Sequence, residues 1–157
     1  MNAKVYIETS VVSYLTARMS RDLIVAGHQQ ITQEWWDTRK RDFEIYISQL
    51  VVREAGGGDP DAAQRRLSVL ADIRSLEMNQ QVVDLANVFM RERALPTTSA
   101  EDAVHIAIAT VHEMDYLLTW NCKHIANAEI RKAINTACQN AGYTAPTICT
   151  PEELLGD

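Results

Sequence analysis

The fold is decided by residues 100–127, which read AEDAVHIAIATVHEMDYLLTWNCKHIAN. The first half predicts a helix that begins with two acids, Glu101 and Asp102, and then becomes apolar nearly all round, as expected for a helix packed against a sheet. A short buried strand follows at residues 116–119 and stops before Asn121. In an open parallel sheet, strand carboxyl ends and helix amino ends converge on one crevice, where ligands bind. We therefore expect Asp102 and Asn121 to face the same crevice.

The rest of the chain alternates short apolar runs with amphipathic segments. Buried strands are predicted at residues 5–7, 43–48, 75–78 and 146–149, and helical spacing of apolar residues occurs between them. This alternation predicts a mainly parallel sheet that is covered by helices on both faces. The length also fits one domain. The sequence thus predicts an α/β fold, a three-layer α/β/α sandwich, as a single domain over residues 1–157.

The longest predicted helix covers residues 21–41, with Ser20 as its N-cap. Its apolar face is typical of a core or of a subunit interface. The adjacent Trp35 and Trp36 fit either an exposed interface, where tryptophan is enriched, or the core. The basic residues 39–41 in the last predicted turn complement the negative end of the helix dipole, and phosphate contact is the alternative.

Composition argues against several classes of protein. The net charge is −6, which disfavours nucleic-acid binding through a broad basic field. No apolar run approaches the length of about 18 residues that a membrane-spanning helix needs, and the N-terminus does not resemble a signal peptide. Three cysteines without a CxxC pair fit a reducing cytoplasm and argue against a disulfide framework. Cys122 and His124 have metal-ligand character, but without further ligands we interpret their spacing as incidental.

Acidic side chains are expected at three places on one rim of the sheet. Glu8 follows the first strand, Glu54 lies in a short helix after the second strand, and Asp102 opens the helix described above. Gathered carboxylates repel one another unless a cation binds them, and hard oxygen ligands suit Mg²⁺ or Mn²⁺. The alternative is that these acids are loop residues or helix caps, and Ser99 stands at capping-box spacing before Asp102. His105, one turn later, is interpreted as a packed or hydrogen-bonded residue rather than a ligand.

Four motifs, in order, resemble those of the PIN-domain family: KVYIETSVVSYL, YISQLVVREA, EDAVHIAIA and YLLTWNCKHIAN. Together they span nearly the whole chain, which is most similar in kind to the VapC-type toxins of bacterial toxin–antitoxin pairs. The resemblance implies a parallel-sheet α/β/α fold and a ribonuclease that cleaves RNA with Mg²⁺ or Mn²⁺, using a metal-activated water. It also implies a homodimer that a small antitoxin protein inhibits.

The resemblance also implies which residues form the site. The family's four acidic positions fall on Glu8, Glu54, Asp102 and Asn121, which are therefore the expected catalytic residues. The first three of these are the expected metal ligands. The expected polar neighbours of the site are Ser10 and Thr119.

Two positions depart from the family's usual residues. Glu8 replaces an aspartate, which moves the carboxylate outward by about 1.5 Å. Asn121 replaces an acid, and an amide can neither carry the charge nor act as a base. These departures keep open an alternative function, a catalytically weakened PIN-like module that binds RNA or a protein partner.

Overall fold

The structure is a computed structural model that describes residues 2–92, 94–95 and 100–156. Within these residues, five parallel strands form one sheet. In chain order the strands are β1 (Ala3–Ile7), β2 (Phe43–Ser48), β3 (Arg74–Leu76), β4 (Tyr116–Leu118) and β5 (Thr147–Cys149). Their order across the sheet is β3-β2-β1-β4-β5, so the first strand of the chain is the central one.

Seven helices of the described chain flank the sheet. They are α1 (Thr9–Thr16), α2 (Leu23–Thr38), α3 (Gln49–Ala55), α4 (Pro60–Leu70), α5 (Gln80–Arg91), α6 (Ala100–Val111) and α7 (Ala128–Asn140). Helix α1 packs against α2, α3 and α4, whereas α5 packs against α6 and α7. The predicted α/β/α class is confirmed, and the strands pair in parallel throughout the described sheet. No described helix combines the length and the apolar character needed to cross a membrane.

The core lies on both faces of the central strand. Val5, Tyr6 and Ile7 are consecutive and all fully buried, which is typical of a parallel strand covered by helices on both sides. Helix α6 is also buried along most of its length, as its apolar sequence predicts. The carboxyl ends of β1 and β4 are paired through Ile7 and Leu118, so the residues that follow these strands begin side by side.

The long predicted helix is shorter than residues 21–41, because Asp22 rather than Ser20 caps it. The Asp22 carboxylate accepts hydrogen bonds from the backbone N–H groups of Ile24 and Val25 at 2.9 and 3.1 Å. The Ser20 hydroxyl instead accepts from the N–H of Asp22. At the other end the helix stops at Thr38, and the basic residues predicted in its last turn belong to the helix cap and a following 3₁₀ helix, Lys40–Asp42.

The two tryptophans of α2 have different environments. Trp35 is fully buried and stacks on Phe43, with ring centroids 5.8 Å apart. Trp36 is half-buried, and the Lys40 ammonium lies 4.2 Å from its ring centroid. Of the two environments considered for the pair, Trp35 therefore occupies the core.

Most other helix boundaries lie within a few residues of their predicted positions. Helix α3 has the predicted bounds, and Asp59 caps α4 by accepting from the N–H of Ala62 at 2.9 Å. The helix end predicted at Pro96 and the capping box predicted from Ser99 lie outside the described residues.

Candidate functional site

Glu8 occupies the carboxyl end of the central strand, at the edge where the site was expected. Its backbone N–H donates to the carbonyl of Leu118 at 3.0 Å, so the ends of β1 and β4 are joined here. The Glu8 side chain is only 7% exposed. The hydroxyls of Thr119, at 2.6 Å, and of Ser10 both donate to its Oε1. Thr119 and Ser10 are thus direct neighbours of Glu8, and Oε2 has no hydrogen-bond partner among the described residues.

Glu54 and His105 meet beside Glu8, one from α3 and the other from α6. Oε1 of Glu54 accepts from the Thr9 hydroxyl at 2.6 Å and lies 2.7 Å from Nε2 of His105. Ligand atoms of Glu8, Glu54 and His105 all lie within 4.8 Å of one another. His105 is buried and hydrogen-bonded, as the sequence predicts, but it also offers a ligand atom to this group, which the sequence did not lead us to expect. Two carboxylates and an imidazole at this spacing could hold a metal ion.

A buried hydrogen-bond chain holds His105 from behind. The Tyr6 hydroxyl lies 2.7 Å from Nδ1 of His105 and 2.8 Å from the Ser48 hydroxyl. All three side chains are buried. Burial raises the pKa of Tyr6 above its ordinary value, so the phenol keeps its proton and can donate it. Both ring nitrogens of His105 are therefore engaged, which restricts the ring to one orientation.

Glu54 is the most strongly perturbed carboxyl of the site. Burial alone would raise its pKa, but the hydrogen bond and charge of His105, with hydrogen bonds from Thr9 and Glu101, outweigh burial and lower the pKa to about 2. The pKa of Glu101 is raised, first by its hydrogen bond with Glu54 and then by the negative charge of that residue. Glu54 is therefore ionised at neutral pH, and Glu101 is the partner that takes up a proton more readily.

Asp102 does not join Glu8 and Glu54 but faces the loop after β4. Its Oδ1 accepts from the Asn121 side-chain amide at 3.3 Å, and its Oδ2 lies 3.3 Å from Nδ1 of His124. Among the described residues, the three ligand atoms that lie within 4.8 Å of one another belong to Glu8, Glu54 and His105. The sequence predicted Asp102 as the third ligand. Both Asp102 oxygens have partners on the loop after β4, and the expected role of Asp102 as a metal ligand stays a prediction.

Asn121 organises the loop rather than adding a fourth acid. Its side-chain oxygen accepts from the N–H of His124 at 3.0 Å, and its own N–H donates to the Thr119 hydroxyl at 2.9 Å. Its backbone carbonyl accepts from Ile125 and Ala126 at 3.0 and 2.8 Å. Because an ionised aspartate has no donor, it could not make the contact that the Asn121 amide makes with Asp102.

Asn121→Asp is expected to lower the free energy of unfolding by about 1–3 kcal/mol in EDTA. The change removes the donor to Asp102 and places a second carboxylate against it. Urea unfolding measures the effect. Asn127→Asp is the matched control, since the Asn127 side chain caps α7 as an acceptor and aspartate caps equally well. Equal stability of Asn121→Asp and the wild type in EDTA would contradict the proposed role of the amide.

Sequence reasoning did not select His105, Tyr6 or His124 as site residues, although two of them carry a spacing signal. Residues two apart on a strand face the same side, so Tyr6 shares a face with Glu8. Residues four apart on a helix are neighbours, so His105 lies beside Glu101, the acid that is hydrogen-bonded to Glu54. His124 has no comparable signal, because its loop has no regular period.

The site thus combines a compact group of Glu8, Glu54 and His105 with a neighbouring cluster of Asp102, Asn121 and His124. The first is suited to a cation, and in the second Asp102 holds the imidazole of His124. A scan against protein-family models and a search of curated proteins each found no match for the chain.

Proposed function

We propose that the protein is a metal-dependent endoribonuclease of the PIN-domain type, similar to VapC toxins, that hydrolyses RNA phosphodiesters. The observation that carries this proposal is the group of ligand atoms from Glu8, Glu54 and His105 at the carboxyl edge of a parallel sheet. The four sequence motifs that resemble the PIN family support it, since three of them contribute these residues. A homodimer, a small antitoxin partner and a cytoplasmic location belong to the same proposal.

The donor set fits a divalent cation. Two carboxylates suit Mg²⁺ or Mn²⁺, and an imidazole nitrogen is a better ligand for a transition ion than for Mg²⁺. We therefore favour Mn²⁺ over Mg²⁺ for Glu8, Glu54 and His105. A divalent ion held there would supply the positive charge that activates water and stabilises charge on a phosphoryl oxygen.

The protein's own residues prepare the site for such an ion. Glu8 is buried and oriented by two hydroxyls, so its carboxylate needs little reorganisation. Glu54 is ionised at neutral pH, as its lowered pKa shows. His105 would act as a ligand through a nitrogen lone pair, so Nε2 would give up its hydrogen bond with Glu54 when it held an ion.

The wild type is expected to cleave mixed RNA in Mn²⁺, more slowly in Mg²⁺ and not at all in EDTA. Glu54→Gln should reduce cleavage by at least about 100-fold, because it removes a charge from the ligand set but keeps an oxygen for Thr9 and His105. Gel electrophoresis of labelled RNA measures the rates. The matched control is Glu34→Gln, which changes an exposed acid on α2. Equal cleavage by Glu54→Gln and the wild type would refute this assignment.

A second candidate function is a PIN-like module that binds RNA or a protein partner without cleaving. The hydrogen bonds that Glu8 and Glu54 already make within the protein favour it. Glu8 accepts hydrogen bonds from Thr119 and Ser10, and Glu54 is bonded to Thr9, His105 and Glu101, so neither needs an ion to be satisfied. Calorimetry with Mn²⁺ separates the two functions. Binding with a Kd well below about 1 mM supports the nuclease, and no heat at millimolar Mn²⁺ supports the binding module.

A further inference from the structure

We propose that His124 is the general acid of this reaction, giving a proton to the sugar oxygen that departs from phosphorus, and that Asp102 orients it. The proposal rests on the nuclease function proposed above. It gives a role to the cluster of Asp102, Asn121 and His124, which lies beside the ligand group without belonging to it.

The geometry resembles that of other imidazoles that transfer protons. Nδ1 of His124 lies 3.3 Å from Oδ2 of Asp102, so Nε2 is the ring nitrogen left for a substrate. A carboxylate in this position orients an imidazole. The Asp102 side chain is 17% exposed and that of His124 is 30% exposed, so the carboxylate is the more enclosed partner and the imidazole is accessible.

Hydrogen bonds connect the loop that carries this imidazole to the ligand group. The Thr119 hydroxyl donates to Glu8 and accepts from the N–H of Asn121. The Asn121 side chain then accepts from the N–H of His124, and its amide donates to Asp102. A continuous chain of hydrogen bonds therefore links Glu8 to the backbone of His124. None of these bonds uses the His124 ring, so the loop can keep its shape when the ring is replaced.

The reaction needs a proton on the departing oxygen, and an imidazole is a group that can supply it. A water attacks phosphorus, and the bond from phosphorus to the departing sugar oxygen breaks. The electron pair of that bond goes to the sugar oxygen, which takes the proton from Nε2 of His124. The proton of the attacking water passes to solvent, and His124 recovers one from solvent. Asn121 lies on the same loop but is an amide without an acidic proton, whereas an imidazole can carry a proton on Nε2.

A comparison of two leaving groups tests this role. General acid catalysis contributes about 10²- to 10⁴-fold, and it matters only when the departing oxygen is basic. His124→Gln in Mn²⁺ is therefore expected to lower kcat on RNA by about 100-fold or more, with little change in KM. On a p-nitrophenyl phosphodiester of a nucleoside, whose nitrophenolate leaves without a proton, we expect less than about threefold loss. Asp102→Asn should show the same split to a smaller extent.

The controls separate failure of this inference from failure of the proposed function. His112→Gln changes a histidine whose Nε2 donates to the Glu77 carbonyl, and it should leave both rates unchanged. Fluorescence anisotropy of a phosphorothioate RNA should give the same affinity for His124→Gln and the wild type. Equal fractional losses on both substrates, or no loss on RNA, would overturn the role of His124 alone. A wild type that cleaves neither substrate in Mn²⁺ would overturn both proposals.

Discussion

Glu8→Gln is expected to abolish Mn²⁺-dependent RNA cleavage and to remove the stabilisation of the fold by Mn²⁺. The Glu8 carboxylate is buried at the centre of the sheet edge, with Oε2 as the oxygen left for an ion. Glutamine keeps a side-chain oxygen that can accept from Thr119 and Ser10. The substitution therefore removes the negative charge and leaves the local hydrogen bonds possible.

Thermal unfolding with and without Mn²⁺ measures this effect independently of cleavage. An ion that binds only the folded protein adds about 2.7 kcal/mol of stability at a concentration of 100 times Kd. We expect this gain for the wild type and almost none for Glu8→Gln. Glu44→Gln is the matched control, because Glu44 also accepts from a hydroxyl, that of Tyr46, on the neighbouring strand. The same Mn²⁺ shift in Glu8→Gln as in the wild type would show that Glu8 is not a ligand.

Tyr6→Phe is expected to weaken Mn²⁺ binding by about 10- to 100-fold, although Tyr6 is not itself a ligand. Its hydroxyl joins Ser48 to Nδ1 of His105 and so holds the ring with Nε2 toward the acids. Groups that hydrogen-bond a metal-binding imidazole in this way control its orientation and basicity. The same change should lower the free energy of unfolding by about 1–3 kcal/mol, because it leaves buried polar atoms of Ser48 and His105 without that partner.

Calorimetry and urea unfolding measure the two effects of Tyr6→Phe separately. Tyr46→Phe is the control, since its half-buried hydroxyl bonds Glu44 at 3.2 Å, away from His105. A loss of stability without a loss of Mn²⁺ affinity would mean that Tyr6 supports the fold but not the ligand. If neither the Mn²⁺ affinity nor the free energy of unfolding changed, the hydrogen bonds that join Ser48, Tyr6 and His105 would have no such role.

Two of the expected site residues could be predicted from the sequence, because each follows a predicted strand. Glu8 follows a strand that is apolar and buried, and Glu54 lies just after the next strand, so the rule for parallel sheets places both at one edge. Their meeting within 4.8 Å, together with His105, agrees with that expectation. The capping of α2 was less accessible, because Ser20 and Asp22 are both good caps and only the chain's direction into the helix selects Asp22.

The role of Asn121 shows a different kind of limit. In the sequence it is an amide at a position where an acid was expected. In the structure its amide donates to Asp102 and its oxygen accepts from the backbone of His124, and an ionised aspartate could not do the first of these. The amide therefore makes contacts at this position that an ionised acid would not make.

The sequence by itself determined the alternation of strands and helices, the parallel sheet and the placement of Glu8 and Glu54, because apolar runs and their ends are local features. Only the tertiary structure decided that His105, and not Asp102, joins those acids. Three residues apart on a helix, the two side chains point about 60° apart around its axis. Packing of α6 directs His105 toward α3 and Asp102 toward the loop after β4, and no local pattern specifies that rotation.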